Sequence, residues 1–425
     1  MQSEGISGAL SLGAAMSLGI PIAITRPIAV VMVGLPARGK TYIARKLARY
    51  LSWTGYSASV FNVGNVRRER FGAKVPASFF DPANPDGLNS RKKAAHFAMD
   101  EMLAWFKGGG QIGIYDATNS TRERRQWVIE QCERSGVDVM FVETLCNDPA
   151  IINANIRDTK LLAPDYRGVD EATAIADFRA RIAHYEAAYQ PIDSENASFV
   201  KLIDVGQRVE IQNVRGYIQG RITQFVMNLH ITPRTIWLTR HGESTANMAG
   251  VVGTDMPLTS RGATFAQNLA SFIGEQDEGP GTIWTSTLQR TLQTAAPLRR
   301  ETHALKVLDE IDAGICDGMT YPQIAEQMPG EYARRSADKL RYRYPRGESY
   351  EDVIARLDPL ILELERQQDP VLVIGHNAVI RVLLGYLSDE EREAVPHLDV
   401  PLHTVLSLTP RAYGCEVSRH ALSSE

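Results

Sequence analysis

The apolar pattern opens on Ile28–Val33, a largely β-branched run that ends at a glycine. It continues through Lys40–Trp53, where Ile43, Leu47, Tyr50 and Leu51 recur at helical spacing. Strand, loop and helix are predicted in that order. Further strands are predicted over 59–63, over 112–115 behind a triple glycine, and over 137–143, with a helix over 121–135 between the last two. Strands alternating with helices predict a parallel sheet with right-handed crossovers. Helices over 173–188 and 213–229 close this half, the second running into Thr232 and Pro233. Beyond that proline the pattern restarts with a strand over 235–239, a helix over 260–273 and short strands over 282–284 and 371–374. The restart places a domain boundary near Pro233, giving two parts of about 200 residues, an ordinary domain size. There is no repeat at solenoid period and no low-complexity tract.

The length, 425 residues, agrees with more than one domain. Hydrophobic residues at 44% and charged residues at 23% are those of a globular chain and exclude intrinsic disorder. Lys and Arg number 46 against 50 Asp and Glu, a net charge of -4, so no overall positive field draws the chain to nucleic acid or to an anionic membrane. Four cysteines, Cys132, Cys146, Cys316 and Cys415, form no C-x-x-C pair and fit a reducing compartment, so a cytoplasmic location is expected. The uncharged stretch 5–25 has Glu4 where a signal peptide carries positive charge, and Gly, Ser and Pro21 dilute it below a membrane span. Residues 1–26 are expected to be a loosely ordered leader.

The loop behind the first strand reads Gly34, Leu35, Pro36, Ala37, Arg38, Gly39, Lys40, Thr41, the pattern G-x-x-x-x-G-K-[ST], in the setting its chemistry needs: after a strand and opening a helix. Glycines let backbone N–H groups turn to phosphate oxygens, Lys40 reaches the β and γ phosphates, and the Thr41 hydroxyl can hold Mg²⁺. Asp116, at the end of the strand over 112–115, stands where a carboxylate would meet Mg²⁺ or orient an acceptor hydroxyl; a turn cap is the alternative. Arg67, Arg68, Arg91, Arg122, Arg124 and Arg125 exceed what a solvated surface needs, which implies an anionic acceptor, with about half expected at the surface.

In the second half, the strand over 235–239 runs into Arg240-His241-Gly242-Glu243, and the strand over 371–374 into Gly375-His376-Asn377. Two histidines at strand C-termini share the edge where open α/β sheets bind ligands. With Arg240 and Arg290 they predict a phosphate pocket, in which a neutral imidazole attacks phosphorus to form a phosphohistidine. Glu310 and Asp312 compete as the general acid for the leaving alkoxide, and spacing leaves that choice open.

The motifs together resemble the bifunctional 6-phosphofructo-2-kinase/fructose-2,6-bisphosphatase family over nearly all of the chain from Ile28 to Val417. The first half offers the loop through Tyr42, Phe61-Asn-Val-Gly64, Asp116-Ala-Thr-Asn119, Pro164-Asp-Tyr166 and Tyr185-Glu-Ala-Ala-Tyr-Gln-Pro191. The second offers Arg240-His-Gly-Glu-Ser244, Glu310-Ile-Asp-Ala-Gly314, Tyr342-Arg-Tyr-Pro345, Gly347-Glu-Ser-Tyr350 and Pro401-Leu-His-Thr-Val-Leu406. The resemblance implies an α/β fold: a P-loop kinase domain at 27–233 and a histidine phosphatase domain, phosphoglycerate mutase-like, at 234–425.

It implies that the chain makes fructose 2,6-bisphosphate from fructose 6-phosphate and ATP and hydrolyses it again, as a homodimer joined through the kinase halves. ATP would lie on Gly34 through Tyr42 with Asn155 to Lys160 closing over it, and Asp116 would be catalytic. Arg67, Arg91, Thr118, Arg124, Lys160, Arg181 and Tyr185 would hold fructose 6-phosphate. Cys146 matches an active-site cysteine of the family, while a small buried residue describes it equally well. In the phosphatase, His241 would be the nucleophile and Glu310 the proton donor, with Arg240, Arg290, Asn247 and His376 around the transferred phosphate. Gly253, Tyr321, Arg335, Lys339, Tyr350, Asn377 and Arg381 would hold the rest of the bisphosphate. An arginine at Arg290 implies a competent phosphatase. Asn377 stands where the family usually has glutamine, Val66 where an aromatic is common, and control by phosphorylation of a long C-terminal tail is not expected.

Overall fold

A computed structural model describes residues 24–157, 164–166, 168–193, 197–204, 206–230, 233–411 and 414–423; most of the leader, Lys160, Thr232 and the chain ends lie outside them. The described residues form two compact α/β units, one on each side of residues 231–232.

The first unit holds a six-stranded sheet of β1 (Ile28–Val33), β2 (Ala58–Asn62), β3 (Ile112–Asp116), β4 (Asp138–Leu145), β5 (Ser198–Ile203) and β6 (Arg208–Gln212), in the order β2-β3-β1-β4-β5-β6. Only β6 runs antiparallel, against β5. Every residue of β1 is buried, as a central parallel strand covered on both faces requires. The helix Lys40–Trp53 follows the loop, burying Ile43, Leu47, Tyr50 and Leu51 on one stripe.

Two expected helices begin elsewhere. The one read over 213–229 spans Gly216–Asn228, because Asn213 takes a positive φ of 52° behind β6. The one read over 173–188 spans Glu171–Glu186, its N-terminus capped by the Asp170 side chain on the Thr173 N–H. The longest helix, Pro85–Lys107, turns Ala94, Ala95, Ala98, Met99, Met102 and Phe106 to the core.

The second unit has the sheet order β12-β11-β7-β10-β8-β9: β7 (Ile236–Arg240), β8 (Thr282–Thr285), β9 (Thr302–Ala304), β10 (Val371–Gly375), β11 (Thr404–Arg411) and β12 (Gly414–Ala421). β7, β10, β8 and β9 are parallel, and the hairpin β11–β12 adds two antiparallel strands at one edge. Gly375 is the register partner of Arg240, and Ile374 that of Thr285. β7 and β10 therefore end level with one another and β8 one position earlier, and the residues that follow β7, β10 and β8 are His241, His376 and Ser286.

Candidate active sites

In the first unit the loop Gly34–Thr41 lies between β1 and the helix Lys40–Trp53. Gly34 has a φ of 138°, and a Cβ there would sit 2.5 Å from the Thr144 carbonyl oxygen, so no other residue fits against β4. Ala37 and Gly39 also take positive φ, 59° and 78°, which curls the backbone into an anion-cradling shape. Lys40 is buried and folds back over the loop, its Nζ donating to the Leu35 carbonyl at 2.5 Å. Asn155 ends a short helix against this loop and donates to the Ala37 carbonyl at 3.2 Å. Asp116 ends β3 beside its register partner Asn62 and accepts from the Asn62 side-chain amide Nδ2, while the Asn62 side-chain Oδ1 caps the next helix by accepting the Asn65 N–H.

A cationic cluster gathers around Asp165, whose neighbour Tyr166 packs in one core cluster with Ala37 of the loop. Asp165 accepts from Arg67 at 2.6 Å, from Arg68 at 3.2 Å and from Arg181 at 3.3 Å, and although burial alone would raise its pKa, these guanidiniums hold it below the usual carboxylate range. Phe80 lies under the Arg67 and Arg181 guanidiniums and against the Tyr185 ring, and the Arg91 guanidinium also lies over Tyr185. Arg67, Arg91, Arg181 and Tyr185 are thus brought together. Arg124 lies instead beside Asp116's neighbour, donating to the Tyr115 hydroxyl at 2.7 Å. Arg122 pairs with Asp193 at an exposed site, and fully buried Arg125 braces the carbonyls of Asn119 and Gln190. Thr118 offers its carbonyl to the Gly34 N–H. Burial raises the Cys146 thiol pKa, which favours the inert form. Asp165 and Phe80 were not expected from the sequence, although Asp165 lies within the quoted Pro-Asp-Tyr motif.

In the second unit His241 and His376 face each other with ring centroids 5.1 Å apart. His241 Nδ1 lies 2.7 Å from the Gly242 carbonyl oxygen; a carbonyl only accepts, so Nδ1 carries the proton and Nε2 keeps its lone pair. Burial and then the Arg290 charge depress the His241 pKa to about 3, so the ring is neutral. The same two causes hold His376 well below the ordinary histidine value, and its Nε2 lies 2.7 Å from the Ser286 hydroxyl. Arg290 is anchored on the Thr254 carbonyl at 2.6 Å and Arg240 on the Val400 carbonyl at 3.1 Å.

Glu310 sits across the N-terminus of the helix Asn377–Ser388, accepting the N–H groups of Asn377 at 3.0 Å and Ala378 at 3.2 Å. Asp312 is spent on a turn, accepting the Gly314 N–H at 2.8 Å. Asn247 closes a capping box with Ser244. Arg335 donates to the hydroxyls of Tyr344 and Tyr321, each at 2.8 Å, and Arg381 to the Tyr350 hydroxyl at 3.3 Å. Lys339 donates to the Pro396 carbonyl at 2.7 Å; burial, then Arg381 and Arg335, lower its pKa to about 8. Gly253 is pressed against Asp317. The Asn377 Oδ1 and His376 Nδ1 are buried with no partner among the described residues. Ser286 was missed as a site residue; its signal was its place directly after a short strand.

A profile of the family described as 6-phosphofructo-2-kinase matches residues 19–233, and one described as histidine phosphatase superfamily (branch 1) matches residues 236–423. The chain is 47% identical over 401 residues to 6-phosphofructo-2-kinase/fructose-2,6-bisphosphatase 3 of Rattus norvegicus, covering 93% of this chain and 72% of that one. It is 46% identical over 409 residues to 6-phosphofructo-2-kinase/fructose-2,6-bisphosphatase of Caenorhabditis elegans, covering 93% and 89%. Among solved structures, the alpha-ribazole phosphatase from Shigella flexneri aligns with a TM-score of 0.40 at 23% identity, over 44% of this chain and 96% of that one.

Proposed function

Because the chain belongs to the 6-phosphofructo-2-kinase/fructose-2,6-bisphosphatase family, we propose that it phosphorylates fructose 6-phosphate at its 2-hydroxyl with ATP and removes the same phosphoryl group at a second site. It is an enzyme with a kinase domain and a histidine phosphatase domain in one chain.

In the kinase, Gly34 through Tyr42 receive the nucleotide, and Lys40 leaves the Leu35 carbonyl for the phosphates. Asn155, which donates to the Ala37 carbonyl, serves that pocket, and Lys160 is assigned to it by the family resemblance alone. Asp116, aimed by Asn62, takes the proton of the 2-hydroxyl as its oxygen attacks the γ phosphorus and the bond to the β-bridging oxygen breaks. Arg67, Arg91, Thr118, Arg124, Lys160, Arg181 and Tyr185 hold the sugar phosphate, with Asp165 as the counter-ion that keeps three arginines gathered. The Thr41 hydroxyl and the Asp116 carboxylate are hard oxygen donors of the kind Mg²⁺ takes alongside nucleotide phosphates. Held there, Mg²⁺ would neutralise charge on the β and γ phosphates.

In the phosphatase, His241 Nε2 attacks the 2-phosphate. The N–P bond forms, the bond to the C2 oxygen breaks, and the departing oxygen takes a proton from Glu310. Water then attacks phosphorus, yields its proton to Glu310, and releases phosphate as the N–P bond breaks. Arg240, Arg290, Asn247 and His376 stabilise the equatorial oxygens. Gly253, Tyr321, Arg335, Lys339, Tyr350, Asn377 and Arg381 hold the rest of the sugar.

The observation that supports this most is the commitment of His241 Nδ1–H to Gly242, which leaves Nε2 unprotonated in the field of Arg290 and Arg240. Label from fructose 2,6-bisphosphate carrying ³²P on its 2-phosphate is expected on the protein after an acid-free quench, and absent from His241→Ala. Label that persists in His241→Ala overturns the assignment. We place the protein in the cytoplasm, which four cysteines free of disulfides support, and as a homodimer, which the open edge of β6 with half-exposed Ile211 supports. No helix among the described residues is long and apolar enough to cross a membrane.

A further inference from the structure

The motif Pro401-Leu-His-Thr-Val-Leu406 holds a histidine that neither reaction uses. His403 directly precedes β11 with a backbone φ of 57°, in the left-handed region that few residues other than glycine occupy. Its Nε2 lies 3.1 Å from the backbone nitrogen of Glu243, whose N–H can only donate, so Nε2 is the unprotonated nitrogen of a neutral ring.

The N–H of Glu243 and the carbonyl of Gly242 are the two ends of one peptide group, and that carbonyl accepts the Nδ1–H of His241 at 2.7 Å. A peptide group is planar and rigid, so turning its N–H turns its carbonyl with it. The flanking groups are held separately: the Gly242 N–H donates to the Thr294 hydroxyl at 3.0 Å, and the Glu243 carbonyl accepts the Thr259 N–H at 2.9 Å. His403 is what takes the N–H of the peptide between them.

We propose that His403 is a positioning residue for the phosphatase nucleophile: by holding the Gly242–Glu243 peptide, it keeps His241 in the tautomer that bears its proton on Nδ1 and its lone pair on Nε2. The chain of contacts runs from imidazole through one peptide to imidazole, and each link is a donor facing an acceptor. This rests on His241 being the nucleophile. The competing role for His403 is packing, since its ring lies 5.0 Å from that of Phe265, centroid to centroid.

The test uses the full chain with His403→Leu, which fills space without accepting, and His403→Gln, whose amide oxygen accepts. Hydrolysis of fructose 2,6-bisphosphate, the kinase reaction of the same samples, and ¹⁵N-histidine NMR of His241 are measured together. His403→Leu is expected to lower the phosphatase kcat on the order of tenfold, the worth of one ordinary hydrogen bond, with KM and the kinase rate unchanged. Its His241 signals should move from the pure Nδ1–H pattern to a mixture of tautomers, and His403→Gln should restore both rate and pattern. Leucine and glutamine variants that are equally slow, a leucine variant as fast as the parent, or an unchanged His241 tautomer in His403→Leu each overturn the proposal. Absence of a phosphohistidine in the parent would instead remove the nucleophile assignment, while the tautomer measurement would still decide what His403 does.

Discussion

His241 and His376 face each other at 5.1 Å between ring centroids and an angle of 56° because each is the residue that follows one of two parallel neighbouring strands, β7 and β10. Both are buried and both lie near Arg290 and Arg240, so both pKa values are depressed. A depressed histidine stays neutral until the pH falls to its lowered value, about 3 for His241. The NMR signals of the two rings should therefore not titrate between pH 5 and 8. A midpoint near 6.5 for either ring would show that the pocket does not hold a neutral nucleophile.

Lys339 titrates on the other side of neutrality. Its pKa, lowered to about 8 by burial and by Arg381 and Arg335, means that the free enzyme loses this charge as the pH rises through that value. The KM for fructose 2,6-bisphosphate should rise by up to about tenfold between pH 7 and 9, the order expected for one lost charged contact. Lys339→Arg should flatten that limb, because a guanidinium stays charged throughout. A KM that is flat in the parent would remove Lys339 from the binding pocket.

Gly253 has a φ of 71°, and a Cβ there would lie 1.5 Å from the Asp317 carboxylate oxygen that accepts the Thr254 N–H. Gly253→Ala should cost more than about 1 kcal/mol, lowering the thermal midpoint by at least about 2–4 °C. Because Thr254 also anchors Arg290 through its carbonyl, phosphatase activity should fall while kinase activity persists. An unchanged midpoint and unchanged hydrolysis would contradict this packing.

Asn377 leaves a buried amide oxygen without a partner among the described residues. Asn377→Gln extends the amide by one methylene, and its contact with the sugar phosphate should lower the KM for hydrolysis by about three- to tenfold, with kcat unchanged. A raised KM would show that the shorter amide is the better fit here.

The strand-end positions of the candidate residues were legible in the sequence, and several elements of the fold were not. The phosphate loop and both histidines sit at strand ends, where a short apolar run followed by glycine or by Arg-His-Gly is a local signal that needs no tertiary information. The helix Pro85–Lys107 left no such mark, because three of its buried positions are alanines that weaken the apolar stripe. Tyr350–Arg366 contains Pro359, which reads as a break and is tolerated within the helix. Strand β6 alternates polar and apolar residues over only five positions, and as an edge strand it is at least partly exposed along its whole length, so it carries no apolar run.

The sites show the same limit. Glu310 and Asp312 are equivalent by spacing, and only the fold puts Glu310 on the N-terminus of a helix 67 residues further on. Asp165, 98 residues from Arg67, gathers three arginines through contacts that no local pattern reports.

The central claim is that one chain holds two opposed and separable phosphoryl transfers. The direct measurement is the rate of fructose 2,6-bisphosphate synthesis and of its hydrolysis in the parent, Lys40→Met and His241→Ala. Lys40→Met should lower synthesis by about 10²- to 10³-fold and spare hydrolysis, and His241→Ala should abolish hydrolysis and spare synthesis. Synthesis that survives Lys40→Met, hydrolysis that survives His241→Ala, or a parent with neither reaction would contradict the account.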